Sequence, residues 1–320
     1  MRMLGRPRRR GRRAGMFIAT AAAVVTTLVV AAPDSGTLAG ASRVAATKAA
    51  AVPQPAETKS TSGAGCQGTT PLGLPGSWTC TFDDEFNGTS LDTSKWVPQL
   101  TADSGYINGG SACYVDNSGT VSVSGGYLDL SARKVAPFTC AYPGGSFTTS
   151  YEAGMVSTYG LFDQTYGAFE ASAKLPPATV NGLQETLWLY PQKLTYGAWP
   201  ASGEIDFAEF YSEYPGNDVP YIHYASSSSD PNVTAYDCII NPDTFNTYGV
   251  DWTPTSITIL YNGQPCLVDY PSTGSKPFNE PFFIALTQAL GVGTNAFSPS
   301  STPLPATTQV DWVRAWAPAS

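Results

Sequence analysis

Histidine is almost absent from this sequence, with His223 the only one in 320 residues. The six cysteines form no Cys-x-x-Cys pair. Together these two shortages argue against a zinc centre, which draws closely spaced ligands from those residue types. Charge is also scarce, at 13% of residues, about half the usual share. From Ala64 onward there are only 7 basic residues against 23 acidic ones, a net charge near −16. Such a surface repels phosphate backbones and argues against nucleic acid as a partner. A neutral polymer suits it better. Beyond Cys66 there is no internal repeat, no break in composition and no sustained helical period, so a helical bundle is not expected.

The basic residues gather at the start of the chain. Seven of the 17 Lys and Arg lie in the first 13 residues, ahead of the run "MFIATAAAVVTTLVVAA". That arrangement predicts a secretory signal peptide over residues 1–41, cut at the small-residue site "LAGA". Arg12 and Arg13 admit a twin-arginine route, and a general secretory signal fits equally well. An uncleaved membrane anchor is the alternative. Residues 42–63 have almost no large apolar side chains and read as a flexible linker. Residues 64–320 read as one domain, expected to be secreted, monomeric and free of the membrane once the signal is cut. Export suits disulfides, and six cysteines allow 15 connectivities. Nearest-neighbour pairing is expected: Cys66–Cys80, Cys113–Cys140 and Cys238–Cys266.

With 31 Gly and 26 Pro, the chain is rich in turns. Alternating segments such as "TVSVSGGYLDLSA", "VPYIHYA" and "SITILYNGQPCLVDY" recur between them. Asn262-Gly263, between two apolar runs, is a hairpin signal. Many short strands without intervening helices indicate an all-β fold, an antiparallel sandwich or barrel.

One strand stands out in a chain so poor in charge. "GEIDFAEFY" places Glu204, Asp206 and Glu209 within six positions. Alternation puts Glu204 and Asp206 on one face, with Ile205 and Phe207 on the other. A regular strand would then turn Glu209 inward, where an unpaired carboxylate is costly. One extra residue around Phe207-Ala208, a β-bulge, returns Glu209 to the acid face. Retaining glycosidases need two carboxyl groups roughly 5–5.5 Å apart. Two Glu arms can lean across most of the roughly 13 Å of strand between them. Crowding pushes one carboxyl towards its protonated form, which separates an acid from a nucleophile. The alternative is a solvated strand face holding three acids by chance.

Glu-Ile-Asp-x-x-Glu resembles the signature of glycoside hydrolase family 16, in the bulged form of its laminarinase-like members. "FDDEFNGTSLDTSKW" is similar to the family's opening segment, "YGAFEASAKLP" to an internal strand and "VDWVRAW" to its closing strand. The resemblance implies a concanavalin-like β-jelly roll, a sandwich of two antiparallel sheets with a sugar cleft across the concave one. Carried over by position, Glu204 is the nucleophile, Asp206 the assisting acid and Glu209 the general acid/base. Trp199 resembles the family tryptophan that stacks on a sugar, and His223 lies where members often carry a cleft histidine. Trp188 is a candidate for the cleft lining or for the core. The family's usual Trp-Pro-Ala run is replaced here, within "GLQETLWLYP", and its "LN" by "LTQALG". The second change makes Gln288 a candidate sugar contact beside Thr287. Asp311 matches a position where several members bind a structural calcium. No cofactor is otherwise required.

The sequence therefore predicts a secreted retaining endo-β-glycanase acting on a polysaccharide, with β-1,3-glucan the leading substrate. Another β-glycan, such as mixed-linkage glucan or a galactan, is the alternative within the class. A non-catalytic carbohydrate-binding protein on the same fold is the alternative outside it.

Overall fold

The computed structural model of the chain describes residues 65–107 and 111–319. The signal peptide and linker expected over residues 1–41 and 42–63 lie outside the described residues. The regular structure of the described chain is almost wholly strand. Its helical content is one turn at Thr101–Ser104 and two 3-10 turns. Among the described residues no helix is long and apolar enough to cross a membrane.

Two sheets form the sandwich. The smaller has six strands, in the order Tyr221–His223, Glu204–Tyr211, Leu183–Pro191, Phe282–Leu290, Met155–Ser157 and Val97–Pro98. The larger has ten, running from Gln264–Asp269 through Gly167–Lys174 and Ala306–Pro318 to the long hairpin Tyr127–Tyr142 and Gly145–Ala153. Pairing is antiparallel except where Cys113–Tyr114 runs parallel to Gly145–Ala153. The expected hairpin joins Ile257–Tyr261 to Gln264–Asp269. Asn262 and Gly263 both have positive φ, 50° and 74°, as a type I′ turn demands.

The main core fills the space between the sheets. Leu187, Leu189, Ile205, Phe207, Phe210 and Ile284 of the small sheet meet Phe169, Val250, Trp252, Ile259 and Val310 of the large one. Residues one step along each small-sheet strand point the other way, towards the concave face. There Trp188, Tyr190, Phe283 and Ala285 pack with Ala112 and Tyr114 in a second apolar cluster. Tyr106 packs against the same cluster. Three disulfides pin the periphery: Cys66–Cys80, Cys113–Cys140 and Cys238–Cys266. The last ties the short strand Cys238–Ile239, beside the carboxylate strand's outer loop, to Gln264–Asp269.

Candidate active site

The three carboxylates share the concave face because the strand carries a bulge. Asp206 pairs with Trp188 and Ala208 with Leu187, which leaves Phe207 as the extra residue. Glu209 then falls opposite Thr186, back on the face of Trp188. Ile205, Phe207, Ala208 and Phe210 all enter the core between the sheets. The bulge thus preserves the apolar face while re-aiming one acid. Gly203 begins the strand at φ 85°, and a Cβ there would come within 2.9–3.1 Å of Pro277, Phe282 and Phe278. Only glycine lets the chain enter the strand this close to the core.

Each acid has its own partners. Glu204 Oε2 accepts a hydrogen bond from Trp199 Nε1 at 2.5 Å. Trp199 is 40% exposed, with its ring 5.2 Å from that of His223, so an apolar face remains open beside Glu204. Asp206 Oδ2 lies 3.2 Å from His223 Nε2. His223 stacks on Tyr221, with centroids 4.0 Å apart. Glu209 Oε1 accepts from Gln184 Nε2 at 2.8 Å.

Burial is the largest influence on all three acids and raises the proton affinity of each. Asp206 raises Glu204 further, while His223 and the Trp199 hydrogen bond oppose the rise. Glu209 raises Asp206, and the neighbouring Glu204 opposes the rise. Glu209 itself is restrained by Tyr211, by His223 and by Gln184. Three acids crowded into one desolvated site cannot all ionise together near neutrality. Such a cluster can hold a proton for donation beside a carboxylate able to attack.

The other sequence candidates divide. Trp199 and His223 flank the acids. Trp188 lies on the concave face but is nearly buried, its Nε1 donating to Thr287 Oγ1 at 3.0 Å and its ring packed edge-on against Tyr190. It forms the floor of the concave face rather than an open platform. Gln288 requires a correction, because it faces away from the acids. It pairs with Glu185 in register, on the opposite face from Thr287, and is fully buried. Its Nε2 donates to Glu185 and its Oε1 accepts from Thr308 Oγ1. Thr287 is the member of that dipeptide on the concave face.

Asp311 sits at a bulge of the closing strand, beside Val310 and Trp312. Calcium needs six to eight oxygens. Among the described residues, the one close group of three His, Cys, Asp or Glu ligand atoms is Cys66, Cys80 and Asp83, with the two sulfurs bonded to each other. Asp311 is not part of that group.

Sequence reasoning missed Gln184 and Tyr211 beside Glu209, and Tyr106, whose half-buried phenol lies near all three acids. Alternation could have found Tyr211, two positions beyond Glu209. Tyr106 comes from an irregular segment and left no periodic signal.

Comparison with known proteins agrees with this geometry. The sequence profile described as "Glycosyl hydrolases family 16" matches residues 110–313. A glucan endo-1,3-beta-glucosidase of Cryptopygus antarcticus is 31% identical over 261 residues, covering 75% of this chain and 93% of that protein. Glucan endo-1,3-beta-glucosidase A1 of Niallia circulans is 30% identical over 259 residues, covering 73% of this chain but only 37% of that protein. The X-ray structure of the laminarinase from Rhodothermus marinus superposes with a TM-score of 0.64 at 26% identity, covering 76% of this chain and 99% of that one.

Proposed function

The chain belongs to glycosyl hydrolases family 16, and from that premise we propose that it is a secreted, monomeric endo-β-1,3-glucanase whose catalytic domain spans residues 64–320. The observation that carries the reading is the bulge at Phe207, which sets Glu204, Asp206 and Glu209 side by side on the concave face. Glu204 attacks the anomeric carbon while Glu209 gives its proton to the departing glycosidic oxygen. The carbon–oxygen bond breaks, the freed chain leaves as an alcohol, and the remaining sugar is held as an ester of Glu204. Water then attacks the same carbon, Glu209 takes its proton, and Glu204 leaves with configuration retained. Asp206, beside both glutamates and facing His223, keeps them chemically distinct. Trp199 offers its open face to a sugar ring beside Glu204.

No step is assigned to a metal. Residues 1–41 direct export in this reading, and residues 42–63 tether the domain.

A panel of purified β-glycans tests the substrate by release of reducing ends. Laminarin-type glucan should be cut internally, giving oligosaccharides before glucose. Faster cleavage of agarose or another galactan would transfer the activity to a different β-glycan. That second reading is favoured by one observation, Gln184-Glu185-Thr186 in place of the usual Trp-Pro-Ala run. Release of no reducing ends from any glycan, with binding retained, would make the protein a carbohydrate-binding module. Azide rescue tests the roles. Glu209→Ala should yield a β-glycosyl azide and Glu204→Ala an α-glycosyl azide, and the opposite pattern would exchange the two assignments.

A further inference from the structure

Two neutral side chains from two different strands lie against Glu209, and one of them is hydrogen-bonded to it. Gln184, on Leu183–Pro191, donates Nε2 to Glu209 Oε1 at 2.8 Å. Tyr211, on the same strand as Glu209, lies beside that carboxyl group and lowers its proton affinity. Register explains the arrangement. Gln184 and Tyr211 are direct cross-strand partners, and such partners share a face. Tyr211 lies two positions beyond Glu209, past the bulge, so it shares the face of Glu209 as well.

The amide has a second feature. Gln184 Oε1 is buried and has no hydrogen-bond partner. A glutamine amide presents donors at nitrogen and an acceptor at oxygen on a nearly symmetric frame. With Glu209 ionised, the nitrogen faces it and the oxygen stands idle. When Glu209 carries its proton, a half-turn of the amide brings the idle oxygen to accept the carboxyl O–H. Glutamine can do both because it never changes its own charge.

Taking Glu209 as the acid/base of the proposed function, we propose that Gln184 is a positioning residue that holds Glu209 in both of its protonation states. Together with Tyr211 it sets the pH at which Glu209 yields its proton.

The charged and titratable surroundings of Glu209 leave this task to neutral donors. Its own strand contributes Glu204 and Asp206, and the neighbouring strand Tyr221 and His223. Asp218 lies at the end of the adjoining loop, Tyr106 and Tyr236 on surrounding loops, and Tyr261 on the large sheet. Burial raises the proton affinity of Glu209, whereas Tyr211, His223 and Gln184 lower it. Gln184 and Tyr211 do so without bringing a further charge into the cluster.

The pH profile of kcat/KM on β-glucan, measured with the full chain, tests the role. The amide's bond to the ionised carboxylate is stronger than its bond to the neutral acid, so losing both raises the pKa of Glu209. Gln184→Leu should therefore move the alkaline limb up by about one pH unit. Activity at the optimum should fall about tenfold, because the ionised base of the second step loses its orientation. Gln184→Glu, which adds a like charge, should move the same limb further in the same direction. Tyr211→Phe should also move it upward, and this variant reads the effect should Gln184→Leu fail to fold.

A measurement independent of turnover is the NMR titration of ¹³C-labelled Glu209 in a Glu204→Gln background. Its midpoint should rise on Gln184→Leu. A uniform loss of rate, with limb and midpoint unmoved, would reduce Gln184 to packing and overturn the proposal. Full turnover by Glu209→Gln would instead overturn the functional reading on which it rests.

Discussion

Glu209 and Glu185 occupy neighbouring strands one register step apart, yet they face opposite sides of the sheet. Both are buried, and burial raises the proton affinity of both. Glu209 looks onto the concave face, where Gln184 donates to it and the proposed sugar cleft lies. Glu185 looks between the sheets, where it accepts from Gln288 Nε2 and its other oxygen has no partner. Asp218 is near Glu185 and equally sealed, with Oδ1 accepting from Val219 N at 3.0 Å. A buried carboxyl with a raised pKa is thus insufficient to mark an active site. What decides is whether the group faces a path for substrate and whether its neighbours serve both protonation states.

Paired substitutions can break this contrast. Glu209→Gln should reduce turnover of polymer by about 10²–10⁴-fold, the usual contribution of a general acid. Glu185→Gln should leave kcat/KM within about threefold, since an amide can pair with Gln288 as the carboxyl does. Comparable losses from both would mean that the interior acid takes part in chemistry and that the two faces are not functionally distinct.

A smaller effect is expected at the rim of the cleft. Trp199→Ala removes a sugar platform and the hydrogen bond to Glu204, and kcat/KM on β-glucan should fall about tenfold. The loss should be mainly in KM. A change confined to kcat would make Trp199 a partner of Glu204 alone.

The smallest effect on activity, but a distinct one on stability, is expected at Asp218. Its carboxyl releases its proton near pH 3.8 in the unfolded chain, whereas burial raises the folded value to about 8. Between these values the unfolded state binds fewer protons, so stability falls as pH rises and levels off above about 8. Asp218→Asn should abolish that decline. Its melting temperature should match the parent near pH 4 and exceed it by several degrees near pH 9, as thermal unfolding monitored by circular dichroism would show. Equal melting curves at both pH values would mean that Asp218 is solvated or paired in solution.

The outward logic of the fold was legible in the sequence: the strands by alternation, the turn by Asn262-Gly263, the bulge by the spacing of Glu204, Asp206 and Glu209. Gln288 was not legible, for a physical reason. All nine residues of Phe282–Leu290 are buried, on one face by the core and on the other by the concave cluster. A strand covered on both sides has no polar-apolar rhythm to reveal which residues share a face. The same ambiguity affects "LQETLWLYP", where only register separates Gln184, beside the acids, from Glu185, inside the sandwich. Tyr106 was beyond reach because tertiary folding alone brings its irregular segment to the site.

Phe207 touches no part of the chemistry; it is the extra residue at the bulge. Substitutions at this position leave the parity of the strand intact. Loss of a single codon at Phe207 or Ala208 would remove the bulge and leave a regular strand, with Glu209 and Tyr211 still on the concave face and Phe210 still in the sandwich. The sugar-facing groups upstream, Trp199 and Glu204, would keep their places. On this scaffold the acid face therefore survives a one-residue change in strand length, which the bulge alone absorbs.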